Sequence, residues 1–337
     1  MTGPEGNPPP VIVSCGEPAG IGPEIAIKAW TALRDTLPFV WIGDPAHLPQ
    51  GAPHRLISDA AQAAQVAARA LPVLAHRFPA PVRPGQPAAE NAAVVVAVVA
   101  RAVALVQSGA GAALCTAPIH KQALHEGAGF GFPGHTEYLA HLAGDVPVAM
   151  MLAAEALSPP LRVVPATIHI ALAKVPRAFT PALLRQTVLL TRAALQTDFA
   201  IANPRIAVSG LNPHAGEGGA MGHEEIAWML PLLAELRGEG LNVSGPHPAD
   251  TLFHPAARAR YDAAICAYHD QALIPIKTLD MAGGVNLTLG LPFVRTSPDH
   301  GTAFDIAGKD IADPASMIAA LRMAAGLGAR RSQMKAC

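Results

Sequence analysis

Short apolar, β-branched runs alternate with longer amphipathic stretches along this chain, and that alternation is what most limits its fold. The N-terminal case is the sharpest. "VIVS" (Val11 to Ser14) reads as a strand and "CGEPAGIG" as a glycine-rich loop. Pro23 and Glu24 then suit the first turn of a helix, where a missing N–H costs nothing and a carboxylate meets the positive end of the dipole. "FVWIG" looks like the next strand. Further strands are expected at 112–116, 147–152, 161–167, 205–209 and 262–267, and helices at 88–107, 181–197, 223–237 and 314–326. Such alternation builds an α/β fold with a largely parallel sheet.

Length and composition narrow the class. At roughly 100–200 residues per domain, 337 residues suit about two domains. Hydrophobic residues are 51% and charged residues 15%, so the chain has the material for a large core. A net charge of -1 leaves no electrostatic footprint for nucleic acid. Cys15, Cys115, Cys266 and Cys337 lack the paired spacing of a zinc ribbon or redox motif, which fits a reducing cytoplasm. Cys115 and Cys266 fall within strand-like runs and read as small buried apolar residues. "MTGPEGNPPP" has neither the basic start nor the apolar stretch of a signal peptide. The most apolar long stretch, 92–106, is interrupted by Arg101, whereas a spanning helix needs ~20 apolar residues. The expectation is a mostly buried helix of a soluble protein with no membrane partner.

Three histidines stand just past strand-like runs: His169 after "LRVVPATI", His214 after "PRIAVSGLNP" and His269 after "YDAAICAY". Open α/β sheets bind ligands along the carboxyl edge of their strands. Imidazoles converging there would hold a divalent metal with room for substrate. The competing reading is three unrelated, hydrogen-bonded loop residues. Asp270 beside His269 suits either a ligand or a carboxylate that orients the imidazole.

Other motifs also have two readings each. "GEPAGIGPEI" is an anion cradle or a tight turn between strand and helix; its glycines do not match the dinucleotide fingerprint. In "TAPIHK", Thr116 and Lys121 suit a phosphate or carboxylate, or else cap and solvate a helix. In "PGHTEYL", a glycine turn presents His135 and Thr136, and Thr136 also fits an ordinary N-cap. Lys277, Asn286 and Arg295 suit a substrate with phosphate and carboxylate groups, or are surface groups. "SPDHGTAFDIAGKDIADP" forms a dense loop before the last helix.

Together "GEPAGIGPE", "TAPIHK", "GHTE", "NPHAGE", "PADTLF", "YHDQALIPIK" and "HGTAFDIAGK" resemble the 4-hydroxythreonine-4-phosphate dehydrogenase family of pyridoxal phosphate biosynthesis, in order and over nearly the whole chain. The last segment is also similar to the cofactor loop of isopropylmalate and isocitrate dehydrogenases. The resemblance implies two α/β/α domains with a cleft between them, one of residues 1–132 plus 300–337 on the cofactor side, the other of 133–299 carrying metal and dimer contacts.

It further implies His169, His214 and His269 as ligands of one divalent metal (zinc, magnesium or cobalt) and His135, Thr136, Lys277, Asn286 and Arg295 as substrate contacts. Gly301, Thr302, Asp305 and Lys309 fall to NAD or NADP, and Lys277 and Asp270 to catalysis. A homodimer with an active site shared between subunits is expected. The implied reaction oxidises 4-phosphooxy-L-threonine to 2-amino-3-oxo-4-phosphooxybutanoate, which decarboxylates to 3-amino-2-oxopropyl phosphate. The alternatives are a dehydrogenase of another hydroxy acid or dihydrodiol, a metal-dependent hydrolase, and a non-catalytic binding protein; only the dehydrogenases account for the "HGTAFDIAGK" loop.

Overall fold

The N-terminal pattern is realised closely: β1 (Val11–Ser14) leads through a buried loop into a helix at Gly22–Leu33, then β2 (Phe39–Gly43). The chain continues through β3 (His54–Leu56), β4 (Leu71–Ala75) and β5 (Ala113–Thr116). These belong to the first of two units, built from residues up to Val146 and from Leu291 onward. The computed structural model describes residues 8–336; the first seven residues and Cys337 lie outside it. Within the first unit the order is β3-β4-β2-β1-β5, every neighbour parallel. Trp30, Phe39 and Trp41 fill its core beside Ile12 and Leu114.

The long apolar stretch forms a helix at Ala92–Gln107. Together with the preceding turn, as Ala89–Gln107, it meets the length and apolarity of a membrane span, yet it buries a stripe, Ala92, Val95, Val98, Val99, Ala102, Val103 and Val106, at the three-and-four spacing of a core-facing helix. That stripe packs on β1, β5 and a helix at Lys121–Ala128.

The second unit, Pro147–Gly290, contains β6 (Ala149–Ala154), β7 (Leu161–Thr167), β8 (Ile206–Ser209), β9 (Val243–His247), β10 (Ala263–Tyr268) and β11 (Val285–Leu289). Its order is β11-β6-β7-β10-β8-β9. β6 runs antiparallel to both neighbours, while β7, β10, β8 and β9 are parallel. Leu152, Val163, Ala264, Cys266 and Ile276 lie at its core.

The chain then returns to the first unit as β12 (Arg295–Pro298), parallel to β5. The division therefore falls at 146/147 and 290/291, not at the expected 132/133 and 299/300. The glycine-rich segment 126–135 is a connection inside the first unit, and pairing with β5 takes Arg295 there as well. A last helix at Ala315–Ala336 runs past Gly326, where the expected helix stopped. Gly328 is required inside it, because a Cβ there would meet the Ala112 carbonyl oxygen at 2.8 Å. Cys15, Cys115 and Cys266 are fully buried, and burial pushes the Cys115 and Cys266 thiols up to about 12, so neither is a reactive thiolate.

Candidate active site

The second unit gathers the three histidines at one sheet edge. β7, β10 and β8 are adjacent and parallel, with Thr167 paired to Tyr268 at their carboxyl ends. His169 follows β7 in a left-handed conformation (φ 51°). His269 is the first residue of a helix at His269–Leu279, directly after β10. Their ring centroids are 5.6 Å apart. Nδ1 of His269 meets Asp270 Oδ1 at 2.7 Å, a contact by which a carboxylate orients an imidazole. His214 lies in the loop after β8. Among the described residues of a single chain, no group of three histidine, cysteine or carboxylate side chains forms a metal cage.

The loop that carries His214 is strained. His214, Ala215, Gly216, Glu217 and Gly218 all have positive φ, from 42° to 80°. Non-glycine residues pay roughly 1–2 kcal/mol each in that region, so something else must hold the loop. Glu225 does: fully buried at the start of a π-helical turn (Glu225–Met229), it accepts from the Asn212 backbone N–H at 2.8 Å and from Asn212 Nδ2 at 2.9 Å. Glu224 takes a second hydrogen bond from Asn212 Nδ2, at 2.7 Å. Single π turns recur at functional sites. Gln271 locks the neighbouring strand ends. Its Oε1 accepts from Ser209 Oγ and from the Ala267 N–H, both at 2.7 Å, and its Nε2 donates to the Gly210 carbonyl at 2.9 Å. Sequence reasoning passed over Glu225 and Gln271, since an acid and an amide inside quoted motifs look like any helix-surface residue. Lys277, half-buried on the His269 helix, and Asn286 on β11 belong to the same unit.

The first unit holds a separate cluster of charge. Arg295 is 4% exposed. Its Nη2 and Nε donate to Thr116 Oγ1 at 2.6 and 3.2 Å, across the β5–β12 pair. Burial lowers its guanidinium to about 10, so it remains a cation at neutral pH. His135 begins a helix at His135–Leu142, whose N-cap, Gly134, offers no side-chain cap. First-turn N–H groups of such a helix have no intrahelical partner. His135 is half-buried as a residue, and its Nε2 is shut from solvent with no hydrogen-bond partner. Burial, helped by the Arg295 and Lys121 cations, holds its imidazole well below the usual histidine range. A buried cation close to a neutral imidazole whose Nε2 lacks a partner, beside an uncapped helix start, is a set of groups suited to an anion. Thr136 stands in that first turn.

The "HGTAFDIAGK" loop also lies in the first unit. Thr302 accepts from the Ile21 N–H at 3.0 Å, and Phe304 packs edge-on against His120 with ring centroids 4.9 Å apart. Gly301, Asp305 and Lys309 are exposed.

Residues 35–324 match the family model described as Pyridoxal phosphate biosynthetic protein PdxA. The chain belongs to the PdxA family. It is 64% identical over 322 residues to the 4-hydroxythreonine-4-phosphate dehydrogenase of Paracoccus denitrificans, covering 96% of this chain and 98% of the relative. The enzyme of that name from Roseobacter denitrificans is 62% identical, with 95% and 98% covered. Among solved structures, the 4-hydroxythreonine-4-phosphate dehydrogenase of Klebsiella pneumoniae superposes with a TM-score of 0.85 at 37% identity, over 95% of this chain and 99% of that one. A terephthalate 1,2-cis-dihydrodioldehydrogenase from Burkholderia xenovorans gives a TM-score of 0.65 at 29% identity, over 95% and 98%. This PdxA chain is therefore an oxidoreductase.

Proposed function

We propose that the chain oxidises 4-phosphooxy-L-threonine with NAD or NADP, and that the resulting β-keto acid, 2-amino-3-oxo-4-phosphooxybutanoate, loses carbon dioxide to give 3-amino-2-oxopropyl phosphate for pyridoxine 5'-phosphate synthesis. The observation that carries this reading is the buried Arg295 guanidinium close to the unpartnered His135 Nε2, in a chain so similar to enzymes named for a phosphorylated hydroxy amino acid. Arg295, His135 and Thr136 bind an anionic end of the substrate. Each charge-assisted hydrogen bond contributes roughly 1.5–3 kcal/mol. Lys277 and Asn286 bind its remaining polar groups. The loop from Gly301 to Lys309 receives the nicotinamide cofactor.

The donor set fits a divalent metal. The paired rings of His169 and His269, and the orienting carboxylate of Asp270, are the usual surroundings of ligating imidazoles. His169, His214 and His269 would hold the ion, with zinc or cobalt favoured over magnesium by nitrogen donors. When bound, it supplies a Lewis acid next to the reacting hydroxyl. The chain's own residues do the rest. Asp270 fixes the His269 ring. Lys277 Nζ would take the hydroxyl proton, with NAD or NADP, when bound, supplying the hydride acceptor, and would return a proton to the carbon that lost carbon dioxide.

A second copy of the chain completes the site. His169 and His214 are exposed in a single chain, and so are Ile170 (41%), Leu172 (67%) and Met221 (44%), apolar residues in the same loops. A cytoplasmic homodimer would cover them and supply the missing imidazole. Mixing two inactive variants, His214→Ala and His269→Ala, tests this: about a quarter of the wild-type activity should return when subunits exchange at random. No recovery would rule out sharing. The reaction itself is tested by NADH formation from 4-phosphooxy-L-threonine, with and without added metal, against a cis-dihydrodiol. Phosphate release without nicotinamide would instead favour a hydrolase.

A further inference from the structure

The carboxyl ends of β8 and β10 part before the chain reaches its histidines. Direct pairing of these two strands runs as far as Val208 and Ile265. β10 stays paired with β7 up to Tyr268 and Thr167. Past Val208, the primary amide of Gln271 bridges the spread ends. Its Oε1 accepts from the Ala267 N–H at 2.7 Å and its Nε2 donates to the Gly210 carbonyl at 2.9 Å. The amide thus does what a peptide group of a continued ladder would do. Its Oε1 also accepts from the hydroxyl of fully buried Ser209 at 2.7 Å. This orientation is forced, because a backbone N–H can only donate and a carbonyl can only accept.

Each partner of that amide stands close to a candidate ligand. Ala267 shortly precedes His269, and Gln271 lies in the first turn of the helix that His269 begins. Gly210 supports the His214 loop: a Cβ on it would meet Ala215 Cα at 2.8 Å and Cβ at 2.9 Å, so the loop is folded directly onto it. Thr167, just before His169, carries the chain of bonds to β7 by donating from Oγ1 to the Ala267 carbonyl at 2.7 Å. Ser209, Thr167 and Ala267 are all buried. Polar groups left unpaired in such a place are costly, so the three strand ends have little freedom to drift while the amide is present.

We propose that Gln271 is a positioning residue for the metal site: it fixes the spacing of the spread ends of β8 and β10, and through Gly210 and Ala267 sets where His214 and His269 stand. The inference rests on the reading of His169, His214 and His269 as ligands of a divalent ion. Every subunit carries the same amide bridge, so it acts whichever chain lends which ring to a shared site.

Metal binding to the EDTA-stripped protein tests this without turnover. Zinc affinity is read by competition with a chromophoric chelator, and the visible absorption of added cobalt(II) reports how its ligands are arranged. Gln271→Met keeps side-chain length and helix propensity but removes all three bonds. It should weaken zinc binding by about 10- to 100-fold and change the cobalt spectrum. Ser209→Ala, which leaves the amide and its two backbone bonds, should weaken zinc by about threefold. Thr191→Val is the control for a purely structural loss. It removes another buried hydrogen bond of the same unit, Thr191 Oγ1 to the Thr187 carbonyl at 2.7 Å, and should leave zinc affinity and the cobalt spectrum alone even where it lowers the melting temperature. Circular dichroism establishes that each variant is folded. Wild-type affinity and spectrum in folded Gln271→Met overturn the inference, as do equal changes in Thr191→Val. Should Gln271→Met not fold, Ser209→Ala decides alone, and an unchanged zinc affinity there overturns the inference. Failure of the underlying metal reading looks different: His269→Ala would bind zinc and cobalt as the wild type does, and the inference would fall with it.

Discussion

Two glycine-rich loops link a strand to a helix in this chain, and they behave in opposite ways. The loop after β1 is buried, and its amides are spent inside the protein. Glu17 seals it, accepting from the Ala19 N–H at 3.0 Å, and burial raises its carboxyl above the usual range. The loop after β8 is largely exposed, runs through five left-handed residues and is held from below by Glu224 and Glu225. Glycine content is similar, but the destination of the amides differs. A loop that satisfies itself supports the sheet; a loop held by carboxylates beneath it, Glu225 buried and Glu224 partly so, presents a side chain, here His214.

The comparison breaks most sharply by exchanging stability and activity effects. His214→Ala should reduce turnover to background and leave the melting temperature nearly unchanged. Retained turnover would remove His214 from the reaction and the β8 loop from the site. Glu225→Gln should follow, with about a 10- to 100-fold loss in metal affinity or kcat, because outer-layer supports of a metal site act at that scale. In the β1 loop the signs reverse. Gly16 has φ 68°, and a Cβ there would lie 2.3 Å from the Pro118 carbonyl oxygen. Gly16→Ala should cost at least about 1–3 kcal/mol of stability in denaturant unfolding, while the fraction that folds keeps its KM.

The strand edges were legible in the sequence because burial leaves a one-dimensional trace: "LRVVPAT" is apolar enough to be a strand and to fix where His169 must stand. β3 and β9 were not legible, since the one is exposed along its length and the other holds a proline and a glycine. Their pairing partners, not their composition, make them strands. The same limit applies at the site. His169 and His269 announced themselves by position after a strand, whereas Thr116 matters through a residue far along the chain, Arg295, and Glu225 through the fold of a loop it does not belong to. Burial is readable from one segment; a hydrogen bond between distant segments is not.

A smaller contrast lies within the first unit, between Arg295 and the groups around it. Arg295→Ala should raise KM for the phosphorylated substrate by about 10- to 100-fold with a lesser change in kcat, the scale of one lost charge-assisted pair. Thr116→Val leaves the cation in place but unaligned, and should raise KM less, with Thr116→Ser restoring it. Equal effects from the two valine and alanine changes would mean that the guanidinium acts only through its alignment by Thr116.

The weakest expected effect is on stability against pH. Burial, with Arg295 and Lys121 as further causes, depresses the His135 pKa in the folded state, from an ordinary value of 6.5. The unfolded chain therefore binds a proton that the folded chain refuses once pH falls below about 6.5, so stability drops as pH decreases through that point and is flat above it. His47 and His76 in the same unit are depressed by burial too, and add slope of the same sign. His135→Gln should flatten the dependence of the unfolding midpoint between about pH 6.5 and 5 without moving it at pH 8. If the slope survived in that variant, the neutral state of His135 would owe nothing to its enclosure beside Arg295, and this cluster of the first unit would be ordinary solvated surface.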